Sequence, residues 1–400
     1  MIKSILDTDL YKFSTSYAYF KLYPNAEGMF EFTDRNKECW DCDNGDQSKF
    51  CKLFSSRLER ASELYLDEKS KLWCIDNIPY IPQTYWEWLT TFRFDMSKIF
   101  YWFDKLGVFH CTAIDKLYKV TFYEILILSI YSEVRNMMKE NKFNQVPSSE
   151  EINSRISKKI QYANENNIIF SEFGTRRRYD CVNQDTIVKQ LSLASNTCAG
   201  TSNVCFAMKY NMKPIGTFPH EWVMFHGAIF GYKRANFLSL EDWIDVYQGD
   251  IGTALIDTYT TDSFLNTLTK KQAHLLSGFR QDSGDEIEVG EKVIAKLESF
   301  GIDPKSKLIV FSNALDMEKA KRINDHFKDK CKVSFGIGTN LTNDTGVPWK
   351  PANIVMKLTG CRLDRNSDWE KCIKISDDAG KHMGDSAEIN MARLQLKLKL

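Results

Sequence analysis

Four hundred residues carry 53 basic and 53 acidic side chains, so there is no net field to gather nucleic acid or an anionic membrane, and any anion recognition has to be local. The 43% hydrophobic share is enough for roughly two to three domain cores, and eleven cysteines scattered through so long a chain read as reduced thiols, not a disulfide framework. The longest apolar run, residues 120–131, contains Glu124 and falls short of the ~20 residues that span a bilayer, which excludes a membrane-spanning reading there.

At the N-terminus, Asp7 and Asp9 interrupt a short apolar patch before a leader can form, so the chain is expected to start here and to work in the cytoplasm. In Asp7-Thr8-Asp9-Leu10-Tyr11-Lys12, Tyr11 stands among charges, either as a half-buried tyrosine or as a ligand contact. The first ~150 residues hold five of the nine tryptophans and show no regular alternation of strand and helix, and so are predicted to form a separate α+β domain. Within it, residues 35–52 read as a polar surface loop. Cys39 and Cys42 could be joined by Cys51 and Cys74 in a zinc site, but the second close pair that makes such a signal specific is missing. Ser148-x-x-Glu151 is a capping box ahead of Ile152, Ile156 and Ile160 at helical spacing, and it marks a domain boundary near residue 150.

Beyond that boundary, strands are predicted at 168–173, 213–216, 253–256, 275–279, 308–311, 332–335 and 354–358, with helices between them. The clearest helix has Val289, Val293, Ile294 and Leu297 on one face and Gly301 as its stop. Such alternation implies a parallel sheet, and this many strands in succession favour an irregular β/α barrel over an open doubly wound sheet. The predicted organisation is an N-terminal α+β domain over 1–150, a barrel over 151–364, and a tail over 365–400 that is a candidate to rejoin the first domain. The alternation from Leu394 to Leu400 reads as an edge strand.

Barrels gather functional groups at the C-terminal ends of their strands, and the polar clusters of this sequence fall there. His220 follows the strand at 213–216 and opens a helix, where the dipole and free N–H groups favour anions. A neutral imidazole there offers one nitrogen as nucleophile or base while a carboxylate such as Glu221 holds the other; the alternative is a histidine capping a core helix. After the strand at 275–279, Asp282 and Asp285 could hold ribose hydroxyls or share magnesium through water, and Arg280 could grip a planar carboxylate. The competing reading is a helix N-cap with a surface ion pair. Gly336-Ile337-Gly338-Thr339 forms a small-residue turn that a phosphate can approach, with the Thr339 hydroxyl as a further donor, or is an ordinary tight turn. Of Arg176, Arg177 and Arg178, one or two can reach a common ligand and the rest are expected to be solvated or interfacial. Phe173 is a core residue or a platform for a flat ring.

Taken in chain order, Asp7–Lys12, Ser171–Arg178, Gly216–Trp222, Arg280–Asp285 and Phe335–Asp344 resemble the signature segments of the nicotinate phosphoribosyltransferase family. The resemblance implies that nicotinate and phosphoribosyl diphosphate give nicotinate mononucleotide and diphosphate, the entry step of NAD salvage, with ATP as co-substrate and Mg2+ as cofactor. It further implies transient phosphorylation of His220, a pyridine sandwich of Tyr11 and Phe173, Arg280 and Thr217 around nicotinate, and Gly338 and Thr339 at the 5-phosphate. Arg176 becomes a further anion contact, while Asp282 and Asp285 serve the ribose and the magnesium diphosphate. A homodimer with a shared site is implied as well. The nearest rival is a nicotinamide phosphoribosyltransferase, which the family comparison separates by a carboxylate that Gly200-Thr201-Ser202-Asn203 does not offer. A non-catalytic barrel that binds a nucleotide or a partner is the rival from another class.

Overall fold

In a computed structural model, which describes residues 2–42 and 45–398, the chain builds two sheets. Strands β1 (Glu27–Asp34), β2 (Ile99–Phe103), β3 (Phe109–Lys116), β10 (Ile354–Arg362) and β11 (Glu370–Lys371) form an antiparallel sheet in the order β11-β10-β1-β3-β2. Strands β4 (Phe170–Glu172), β5 (Cys198–Thr201), β6 (Thr253–Leu255), β7 (Gly278–Gln281), β8 (Leu308–Phe311) and β9 (Lys332–Ile337) form a parallel sheet in the order β5-β4-β9-β8-β7-β6. One cavity of about 1150 Å³ is lined by Ser171 and Phe173 on one side, Thr253 and Ser277 on the other, and Val310, Ser334 and Gly336 between them. A sheet whose two margins face one cavity has curled into a barrel, and the small side chains along its inner face are what leave the interior open.

The antiparallel sheet follows the alternation of its strands. In β1, Phe30 and Phe32 are buried while Glu31 and Thr33 face outward. Gly28 is required there, because a Cβ would stand 2.4 Å from Leu117 Cδ2. The helix Tyr123–Phe143 lies behind this sheet with nearly every side chain as far as Asn136 buried, which explains the apolar run that is too short for a membrane. No helix among the described residues is long and apolar enough to cross one.

Four expectations are corrected. The strand at 354–358 exists, but as the start of β10 it pairs antiparallel with β1 instead of joining the barrel. Residues 213–216 make only a bridge, Pro214 to Thr201, through the Lys213 carbonyl and the Ile215 N–H, and Pro214 has no N–H to continue the sheet on its far side. The polar stretch 35–52 is not all loop: a helix over Asp46–Ser62 buries Phe50, Phe54, Leu58 and Ala61 on one face, and Trp40 packs on Phe50 at 5.0 Å. The C-terminal segment forms a helix over Ser386–Leu396 instead of an edge strand, and Lys399 and Leu400 lie outside the described residues. The zinc reading gains no support, since Cys39 and Cys42 are exposed while Cys74 is buried.

Candidate active site

Elements from both sheets converge on the C-terminal rim of the barrel. His220 is the first residue of the helix His220–Phe230, held there by an extended Pro219, and it is only 8% exposed. Its Nδ1 lies 2.9 Å from Thr258 Oγ1, and its Nε2 lies 2.9 Å from Lys374 Nζ and 3.3 Å from Asp282 Oδ2. Nε2 thus sits between a group that only donates, the Lys374 ammonium, and one that only accepts, the Asp282 carboxylate: with its lone pair toward Lys374 the ring carries its proton on Nδ1, toward Thr258, and with its proton toward Asp282 it frees Nδ1. Burial and then the Lys374 charge hold the imidazole well below the ordinary histidine range, and it is neutral at physiological pH. Glu221 does not hold this ring: it turns away to Lys12 and Thr121, and the carboxylate beside His220 is Asp282.

Arg280, at the end of β7, is oriented by three oxygens. Its Nε donates to Ser312 Oγ at 2.9 Å, Nη1 to Thr217 Oγ1 at 3.0 Å and Nη2 to Asp282 Oδ1 at 3.3 Å. The guanidinium lies 5.9 Å from the centre of the Phe173 ring, so a flat, negatively charged ligand would find a ring and a fixed cation together. Burial alone would raise Asp282, but Arg280, His220 and Lys374 outweigh it and keep this carboxylate well below its usual range.

Asp257, which sequence reasoning passed over, completes a cluster with His220 and Asp282 whose ligand atoms all lie within 4.8 Å of one another. Burial pushes Asp257 up to about 6. Its Oδ2 accepts from Ser283 and lies 3.7 Å from Lys374 Nζ, whereas its Oδ1 is buried with no hydrogen-bond partner. The signal was available, because Asp257 stands just past the C-terminal end of β6. Lys374 and Lys357 were also missed. Lys357 comes from β10, and its ammonium is lowered to about 7 by burial and by Lys374, within reach of the charges of Glu124, Arg176 and Asp282.

The remaining candidates divide. Arg176 stands at the rim, where its charge is felt by Tyr11, Glu124, Asp282 and Asp9. Arg177 donates to the Ile354 carbonyl at 2.8 Å and is lowered to about 9 by burial and by its neighbours Arg176 and Arg35. Arg178 is neither solvated nor interfacial: it is fully buried between Asp7 and Glu133. Asp285 accepts from the N–H groups of Ile287 and Glu288 as the exposed N-cap of the helix Glu286–Ser299, outside the acidic cluster. The Tyr11 hydroxyl donates to Glu124 Oε2 at 3.4 Å. Gly336 and Gly338 serve packing: a Cβ would stand 2.6 Å from the Phe173 ring at the first and 2.7 Å from the Phe173 carbonyl at the second. Thr339 then opens the short helix Thr339–Thr342 beside them. Arg176, Arg280, Lys357 and Lys374 stand among Asp9, Glu124, Asp257 and Asp282 here, so any pull on a polyanion is local to the cations.

Comparisons with known proteins point to one family over most of the chain. The model of the nicotinate phosphoribosyltransferase (NAPRTase) family matches residues 168–400, and that of the family's N-terminal domain matches residues 6–132. A protein of Chromohalobacter salexigens named nicotinate phosphoribosyltransferase is 37% identical over 400 residues, covering 100% of this chain and 99% of its own. One of the same name from Desulforapulum autotrophicum is 36% identical over 390 residues, with 97% of each chain covered. The crystal structure of nicotinate phosphoribosyltransferase from Porphyromonas gingivalis superposes with a TM-score of 0.95 at 40% identity over 100% of both chains. That from Vibrio cholerae gives 0.91 at 29% identity, covering 100% of this chain and 95% of its own.

Proposed function

The chain belongs to the nicotinate phosphoribosyltransferase family, and on that premise we propose that Arg280 reads the acid substrate while His220 takes a phosphoryl group from ATP. The enzyme joins nicotinate to phosphoribosyl diphosphate, giving nicotinate mononucleotide and diphosphate in NAD salvage. The pyridine nitrogen forms its bond to the ribose C1 as the C1–O bond breaks, and that electron pair leaves with the diphosphate. Positive charge builds on the sugar, so the protein's share of the work is positioning and electrostatics.

The observation that carries this reading is the convergence of Arg280 and a neutral His220 on Asp282. Thr217 and Ser312 preset the Arg280 fork for a carboxylate lying on Phe173, a pairing that an amide cannot reproduce. Gly338 and Thr339 take the 5-phosphate, while Arg176, Lys357 and Lys374 face the diphosphate or the phosphates of ATP. The neutral ring of His220 accepts the γ-phosphoryl as ADP departs, and water later releases phosphate and restores the imidazole.

Asp257 and Asp282 fit a magnesium ion held through carboxylate and water, since one Asp257 oxygen is buried without a partner. Bound there, magnesium would neutralise charge on the leaving diphosphate. Asp285, committed to its helix cap, serves the ribose only by way of the backbone that it fixes. Tyr11, its hydroxyl held by Glu124, supplies the second face of the pyridine sandwich opposite Phe173, and the working form is a cytoplasmic homodimer with a shared site.

Purified protein given magnesium, phosphoribosyl diphosphate and nicotinate is expected to release diphosphate faster with ATP than without. Equal efficiency with nicotinamide would overturn the assignment of Arg280, and release with neither base would leave a binding barrel. Arg280→Lys keeps the charge but loses the fork. At about 1.5–3 kcal/mol for hydrogen bonds to a charged group, it should raise the nicotinate KM roughly 10- to 100-fold with little change in the phosphoribosyl diphosphate KM. An unchanged nicotinate KM would place the carboxylate elsewhere.

A further inference from the structure

Lys12 has no exposed surface, and the transfer reaction does not use it. Its Nζ lies 2.5 Å from Glu124 Oε2 and 2.6 Å from Glu221 Oε2, and it donates to Thr121 Oγ1 at 3.2 Å. All three donors of the ammonium are thereby engaged. Thr121 Oγ1 in turn donates to the other Glu221 oxygen at 2.5 Å, and Tyr11 closes on Glu124 at 3.4 Å. A continuous polar chain therefore runs from Tyr11 through Glu124 and Lys12 to Glu221, the residue after His220. It crosses from the helix Leu10–Leu22 to the helix Tyr123–Phe143 and on to the first turn of the His220 helix.

Taking one ammonium and two carboxylates out of water costs several kcal/mol per ion before their attraction returns it, and apolar side chains of similar size could hold the same helices together. What an apolar contact would lack is direction. A buried charge with three fixed partners permits one rotation and one height of the His220 helix relative to Glu124, whereas methyl groups slide. The chain is anchored at both ends to groups with proposed roles: Tyr11 at the pyridine and His220 at the phosphoryl group.

We infer that Lys12 is a positioning residue that locks the His220-bearing end of its helix to the wall formed by Tyr11 and Glu124, so that occupancy of the base pocket and phosphorylation of His220 are coupled. The inference rests on the phosphoacceptor role proposed above. With the lock removed, the histidine is phosphorylated and hydrolysed out of step with transfer, and ATP is consumed without product.

The test is the ratio of ADP formed to nicotinate mononucleotide formed at saturating substrates. Lys12→Met is expected to raise that ratio about fivefold or more, the lower end of common coupling between sites, while Lys12→Arg returns it close to the wild-type value. A purely structural role would lower both rates together and leave the ratio unchanged, which overturns the inference. Should Lys12→Met fail to fold, Thr121→Val removes one leg of the tie without stranding a charge. It should shift the ratio in the same direction, and a folded Thr121→Val enzyme with the wild-type ratio overturns the inference equally. A wild-type enzyme that forms no ADP removes the phosphoacceptor reading and this coupling with it. One that couples normally while Lys12→Met couples just as tightly removes the coupling role alone.

Discussion

His220→Asn is expected to abolish both the phosphorylated enzyme and the stimulation of transfer by ATP, while slow ATP-independent transfer continues. The asparagine amide can still occupy the space beside Thr258 and Asp282, but it offers no ring nitrogen to accept a phosphoryl group. Arg280, Phe173 and Asp257 keep their positions, so the base and the ribosyl donor still meet. The loss in kcat/KM with ATP present should be about 10²-fold, the lower range for removal of a positioned nucleophile or acid–base group. It is measured as acid-labile phosphate on the protein together with steady-state rates with and without ATP. Persisting ATP stimulation would move the phosphoacceptor to another residue. The wild-type pH profile carries a second expectation. Burial and Lys374 lower the His220 value, so the ring takes up a proton only well below the ordinary range. Phosphorylation should therefore stay level as pH falls from 8 through about 6.5, where an exposed histidine would already be losing its lone pair.

How far this site could be read from the sequence depends on which physical signals are local. Strands β6, β8 and β9 announce themselves as short apolar-rich runs between turn and helix signals. The rule that function gathers at strand C-termini then places His220, Arg280 and Asp282 together, where the structure also has them. Strand β5 escaped because Cys198-Ala199-Gly200-Thr201 has only Thr201 among the β-branched and aromatic residues that mark a strand, and Gly200 interrupts it. The run at 354–358 was visible, but an apolar run does not say which sheet it joins. Its partner β1 lies far away in the chain, with Thr359 bonded to Met29 across 330 positions. That misplacement also hid Lys357, which reaches the rim from β10, and Lys374 is hidden in the same way, in a segment with no periodicity to flag it. Pairing Glu221 with the His220 ring failed for a helical reason: successive residues point about 100° apart, so a neighbour in sequence faces a different wall.

Arg178→Met should be strongly destabilising. The fully buried guanidinium gives Nη1 and Nη2 to Asp7 at 2.7 and 3.0 Å, reaches Glu133 at 3.0 Å and donates to Gln184 at 3.1 Å. It joins the N-terminal unit to the segment that follows β4 and carries Phe173 and Arg176. Methionine fills much of the volume but removes the cation that both carboxylates face. Breaking one side of such a buried set costs about 3–5 kcal/mol, a large part of the roughly 5–15 kcal/mol that holds a domain folded. The denaturant midpoint should fall accordingly, and activity should fall with it as the rim loosens. The dependence on pH identifies the cause. Burial pushes Asp7 upward, but Arg178 and Asn203 outweigh it and hold its carboxyl below the ordinary 3.8. In the wild type, Asp7 therefore adds stability that is present above 3.8 and is lost as pH falls through its lowered folded value. Without Arg178, burial prevails and the folded value rises above 3.8, so the penalty grows as pH climbs from there. The gap between the two proteins should be widest at neutral pH and should narrow toward about pH 4. A gap that stays constant with pH would mean that the loss comes from packing, and that the buried charges are not what Arg178 sustains.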